Sequence, residues 1–169
     1  FQQRPSKGWG TVEQVTDPWY ASRSFYQALV RVKNWKTRDI NDVAQAVQRS
    51  AYPEAYRRHV TNARSLASSL TGETPASFSC VVASPGEGDP QAMASFLKKT
   101  LGAGAVTTRV NGSTLTVTTD NPTAAWAVAH LAVANTASYG LSAAKVGPYA
   151  WTHSTTGLAS WQGTGPADT

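Results

Sequence analysis

The chain has 169 residues, 41% of them hydrophobic and 15% charged, which suits a folded protein with one large core or two small ones and argues against a disordered chain. Its formal net charge of +5 is concentrated at one end: residues 1–70 carry eleven Lys/Arg against five Asp/Glu, and residues 71–169 carry four against five. This asymmetry points to two modules, the first suited to nucleic acid, anionic lipid or an anionic cell-wall polymer; with no zinc finger, RNP motif or Lys/Arg tract in the sequence, no nucleic-acid partner is expected.

The chain opens on Phe1-Gln2-Gln3-Arg4-Pro5-Ser6-Lys7-Gly8-Trp9-Gly10, a polar loop with one tryptophan between two glycines. It begins without Met or a signal-peptide pattern and reads as a fragment or a processed product. Asp17-Pro18 is an N-cap followed by Pro at the first helical position, and Ala21, Phe25, Ala28, Leu29 and Val32 repeat at helical spacing behind it. A basic loop, 33–38, leads to a helix capped by Asp39 with Ile40, Val43, Ala44 and Val47 as its apolar stripe. Tyr52-Pro53 breaks that helix. A third helix is predicted with Tyr56, Val60, Ala63, Ala67 and Leu70 on its buried face and Gly72 as its C-terminal stop. The first module, 1–72, is therefore expected to be all α.

After a short linker at 73–76 the period changes. A strand is predicted over 78–83, then a helix from Asp89-Pro90 carrying Met93, Phe96, Leu97 and Leu101. Two strands flank Asn111-Gly112, a strong hairpin signal because both residues tolerate positive φ. Asn121-Pro122 opens an Ala-rich helix to about Ser138, closed by Gly140, and short strands follow around Lys145 and Trp151. The expected second module, 77–162, is an antiparallel sheet with two helices on one face, and 163–169 a flexible tail; the whole is α+β. The longest apolar stretch, 124–137, is interrupted by His130 and Asn135 and falls short of the ~20 residues that cross a bilayer, so no transmembrane segment is expected.

Hydrolysis of a glycosidic bond calls for one or two carboxyl groups with separated roles. Asp17 and Asp39 have capping positions, Asp42 sits in a first helical turn, and Glu13 and Glu54 read as solvent-facing, so no catalytic residue is assigned. His59, His130 and His153 are far apart and lack a ligand partner at i+3 or i+4; no metal or cofactor is expected, and His130 reads as a core histidine. Cys80 stands alone, either a small buried hydrophobe or, in an exported protein, half of a disulfide to another polypeptide. What remains is binding chemistry. Aromatic residues are dense in the basic module, where their faces can stack on sugar rings while Gln and Arg bond to hydroxyl, acetamide or carboxylate groups.

The run Phe1-Gln2-Gln3-Arg4-Pro5-Ser6, followed by Gly8-Trp9-Gly10, resembles a segment of the soluble lytic transglycosylases, the lysozyme-like peptidoglycan enzymes, and especially actinobacterial secreted proteins of that kind. The resemblance spans roughly 1–70 and implies a partial lysozyme-like helical lobe in which the Asp17-Pro18 helix lines a glycan cleft. It implies substrate contacts from Gln2, Gln3, Arg4 and Trp9, with Gln48 and Tyr56 across the cleft. The family's catalytic Glu lies upstream of the matching segment, and its Ala-Tyr-Asn motif is replaced here by Val47-Gln48-Arg49. Residues 76–162, with Trp126 to His130 and the later Trp151 and Trp161, are more faintly similar to a C-terminal module of cell-wall peptidase-like proteins, without the histidines that hold zinc in its metal-dependent relatives.

The resemblance implies a secreted or envelope-associated protein that recognises peptidoglycan, inactive as this chain and glycan-cleaving with its upstream part, to which Cys80 would be joined. The alternative is a non-enzymatic envelope-binding or structural protein.

Overall fold

The computed structural model describes residues 3–163. The fold is α+β, and the chain divides into two compact units, Phe1–Ala63 and Arg64–Thr169. The division falls inside the third long helix.

The first unit is helical. A 3-10 turn over Pro5–Lys7 is followed by α1 (Val12–Thr16), α2 (Pro18–Leu29) and α3 (Ile40–Gln48), and a second 3-10 turn, Arg57–His59, leads into α4 (Val60–Leu70). Each expected cap forms: the Asp17 carboxylate accepts from the amides of Trp19 and Tyr20, and that of Asp39 from Asn41 and Asp42. Capping by a short acceptor satisfies amides that the first helical turn leaves without partners. The five-residue α1 was not anticipated, although its signal is present as the capping box Thr11-x-x-Gln14. Its core is small: Ala21, Phe25 and Val43 are buried, together with the polar Gln3, Asn41 and Ser50. The expected buried face of the third helix is not observed. Tyr56, Ala63 and Ala67 are exposed, and the one residue that α4 buries is Ser69, through bonds made by its carbonyl and hydroxyl.

In the second unit, α5 (Pro90–Leu101) starts on the Asp89 cap, and α6 (Pro122–Ala134) starts on Asn121, which accepts from Ala124. A short α7 (Thr136–Tyr139) ends on Gly140 in the left-handed region. Helix α6 is buried nearly all round, as an apolar helix at the centre of a domain should be. One side of it meets Met93, Leu97 and Val106. Another carries Trp126 and His130, which pack against Trp161, with Tyr149 also on Trp126 and Phe78 on His130.

Four strands form two separate antiparallel hairpins: β1 (Thr107–Asn111) with β2 (Thr114–Thr118), and β3 (Ala143–Val146) with β4 (Tyr149–Thr152). The first hairpin turns on Gly112-Ser113, not Asn111-Gly112: Asn111 pairs with Thr114, and only Gly112 has positive φ, +56°. This register sets Val110 directly opposite Leu115, an apolar cross-strand pair beside the core.

The strand expected over 78–83 is not formed. That segment has no regular secondary structure and is anchored by side chains instead of a ladder. Trp161 Nε1 donates to the Phe78 carbonyl at 2.9 Å, Trp151 Nε1 to Ser79 Oγ at 2.8 Å, and His153 Nε2 lies 2.8 Å from the Val82 carbonyl.

Candidate functional site

The residues expected to contact a glycan lie in several different elements of the first unit. Gln2 lies outside the described residues, as do 164–169 of the expected tail. Gln3 is buried, and its Nε2 donates to the Ala21 carbonyl at 2.8 Å, tying the opening segment to α2. Its amide nitrogen is engaged in the fold, whereas its Oε1 has no hydrogen-bond partner among the described residues. Arg4 is exposed; its carbonyl accepts from Lys7 at the start of the first 3-10 turn.

Trp9 is half-buried in a tight turn. Gly8 and Gly10 beside it have φ of +76° and +125°, and a Cβ at Gly10 would come within 2.8 Å of the Tyr20 hydroxyl. The turn thus requires glycine at Gly10 and fixes where the indole leaves the backbone. Gln48 is the last residue of α3 and half-buried, and Tyr56 is exposed just before the second 3-10 turn. No hydrogen bond, ion pair or ring contact links Arg4, Trp9, Gln48 and Tyr56 to one another.

A more coherent surface lies on α2. Trp19, Arg23 and Tyr26 are all exposed. At 3.6 residues per turn, positions separated by four and seven share a face, so an indole and a phenol flank a guanidinium on a stripe about 10 Å long. Tyr26 is 62% exposed even though the edge of its neighbour Phe25 contacts it. The sequence signal for this face is the i, i+4, i+7 spacing of Trp19, Arg23 and Tyr26.

The five carboxylates of this unit are disposed for structure. Asp17 and Asp39 cap helices. Arg57 reaches Asp39 at 3.0 Å and Asp42 at 2.9 Å and also pairs with Glu54. The Asp42 amide and Arg57 hold Asp39 below the usual carboxylate range, Arg57 does the same for Glu54, and a backbone amide with the Thr11 hydroxyl does so for Glu13. A glycosidase acid requires the opposite shift, upward, so that it carries a proton at neutral pH.

In the second unit His130 is fully buried. Its Nδ1 lies 2.7 Å from the Ser69 carbonyl, which can only accept, so Nδ1 carries the proton and the neutral ring leaves a lone pair on Nε2. Nε2 has no partner among the described residues, and burial holds the ring below the usual imidazole range. Cys80 is half-buried and its thiol donates to the Val133 carbonyl at 3.2 Å. As the single cysteine of the chain it makes no internal disulfide. Among the described residues no helix is long and apolar enough to cross a membrane. Comparison with protein-family models, curated proteins and solved structures returns no match to this chain.

Proposed function

We propose that this chain recognises cell-wall glycan through its basic first unit. The observation that carries the reading is the exposed Trp19–Arg23–Tyr26 stripe on α2, the helix that the sequence resemblance sets along a glycan cleft. Aromatic side chains placed about 10 Å apart along the helix axis suit contact with a glycan over more than one sugar residue, and the guanidinium between them suits a muramic-acid or peptide carboxylate. The unit carries ten Lys/Arg against five Asp/Glu, which favours encounter with an anionic wall. Arg4, Trp9, Gln48 and Tyr56 remain candidate contacts.

Each of the unit's five carboxylates caps a helix, pairs with Arg57 or is held ionised, which supports a binding role for this chain. Cleavage would then rest with an acid outside it, the upstream Glu that the lytic-transglycosylase resemblance implies. A disulfide from Cys80 to that upstream part belongs to the same reading.

Cosedimentation with insoluble peptidoglycan tests the proposal. The chain should pellet with cell walls at moderate salt and release no soluble muropeptides. A variant carrying Trp19→Ala and Tyr26→Ala should remain mostly in the supernatant while keeping its helical signal. Full retention of wall binding by that variant would reject the stripe as the contact, and no binding by the parent chain would reject the function.

A further inference from the structure

We infer that the second unit binds a linear, extended peptide bearing a carboxylate, inserted as a strand between β2 and β3. Residues of both strands line one groove of about 810 Å³, within the ~300–1,000 Å³ of ordinary ligand clefts. Its floor is apolar and includes Met93, Leu97, Val128 and Ala132. Helix α6 contacts both β2 and β3, so each hairpin lies against the same helix while no β-bridge joins them among the described residues.

The register shows which backbone groups face the gap. In a two-residue hairpin the pair beside the loop exchanges both hydrogen bonds, and the bonding then alternates along the ladder. Asn111 with Thr114 and Arg109 with Thr116 are therefore bonded pairs, and the N–H and C=O of Leu115 and Val117 turn away from β1. In the other hairpin Val146 with Tyr149 and Ala144 with Trp151 are the bonded pairs, which turns Ala143 and Lys145 outward from β4. The far side of β4 follows the same alternation, because Ala150 turns outward there and pairs with Gln162. All four outward residues, Leu115, Val117, Ala143 and Lys145, line the groove. Two strand edges with donors and acceptors facing a common apolar trough are the requirement for β-strand addition.

The occupant must be a single strand with both edges free. Each regular strand among the described residues already has one edge paired, so a second copy cannot supply one from its hairpins. The segment 78–82 is held elsewhere by Trp151, His153 and Trp161. Charge selects further. Of the two charged side chains lining the groove, Asp89 caps α5, whereas Lys145 is exposed and has no ion pair among the described residues. A carboxylate on the peptide, either side-chain or terminal, complements it.

The test is a displayed library of linear heptapeptides with free C-termini, panned on the full chain. It should enrich acidic, proline-free sequences, and synthetic copies should bind more tightly than about 1 mM. Methylating alternate peptide nitrogens removes strand pairing and leaves side chains intact, and should weaken binding at least about tenfold. Ala143→Pro deletes one groove-facing N–H at the first residue of an edge strand, where proline is tolerated, and should weaken binding similarly; Lys145→Glu should abolish the preference for acidic peptides. Failure to enrich any peptide, or binding indifferent to both N-methylation and Ala143→Pro, would overturn the proposal. Concentration-dependent self-association abolished by Ala143→Pro would assign the groove to a second copy and overturn it as well.

Discussion

The imidazole of His130 donates to the carbonyl of Ser69 at 2.7 Å, joining the middle of α6 to the last turn of α4 across sixty-one residues of sequence. The ring is enclosed by Phe78, Trp126 and Trp161, and its other nitrogen is bare among the described residues. Protonation would place a charge there with no acceptor, and desolvation lowers the ring's affinity for a proton from the ordinary value of 6.5. The unfolded chain then binds this proton more readily than the folded one. Stability should be intact above the ordinary value and decline as pH falls through it towards the depressed folded value. Thermal melts between about pH 7.5 and pH 5 should show this loss, with a shallower slope in His130→Phe. The same variant should be roughly 1–3 kcal/mol less stable at neutral pH, because the Ser69 carbonyl loses its donor. An unchanged slope would remove His130 as the cause.

Gly72 ends α4 with φ of +79°, and a Cβ there would stand 1.9 Å from the Thr123 carbonyl oxygen and 2.6 Å from the Ala127 amide. Both neighbours are backbone of α6 and cannot rotate away. Gly72→Ala should therefore cost at least roughly 2 kcal/mol in denaturant unfolding, combining left-handed strain with a displaced helix. A loss within the scatter of ordinary surface substitutions would mean that the α4–α6 approach is looser than described.

Arg57 joins the cap of α3 to the turn before α4 through Asp39, Asp42 and Glu54. All four side chains are substantially exposed, so salt should screen the network effectively. Arg57→Gln should lower the melting temperature at low salt and converge with the parent at high salt. Since Asp39 and Glu54 are held below their ordinary values, the parent's advantage should be present above those values and disappear as pH falls below them.

The Cys80 thiol points at the Val133 carbonyl from a half-buried position. A disulfide-exchange reagent should therefore label it at least roughly tenfold more slowly in the folded chain than in denaturant. Equal rates would show that the thiol turns outward freely.

How much of this was legible in the sequence depended on how local the determinant was. Asp17-Pro18, Asp89-Pro90 and Asn121-Pro122 each opened a helix where expected, because a cap and its amides lie within three residues. The hairpin at Gly112 was legible, but its turn centre lies one residue further along, which moves the partner of Val110 by two residues, from Ser113 to the apolar Leu115; a shift of two keeps each side chain on its own face. The 78–83 strand was misread because its anchors come from residues more than seventy positions away. The burial of Gln3 was not legible for a similar reason: nothing near it in sequence announces the Ala21 carbonyl. The exposed face of α2 is legible in the spacing of Trp19, Arg23 and Tyr26 alone.

The anchoring of 78–82 has a kinetic consequence. Its bonds are received by carbonyls and a hydroxyl or made by the Cys80 thiol, and no amide N–H of these residues appears as a donor among the described bonds. The segment should therefore hold its place through the tryptophans while its amides take up deuterium far sooner than those of α6. Position and protection, which a β-ladder supplies together, are uncoupled in this segment.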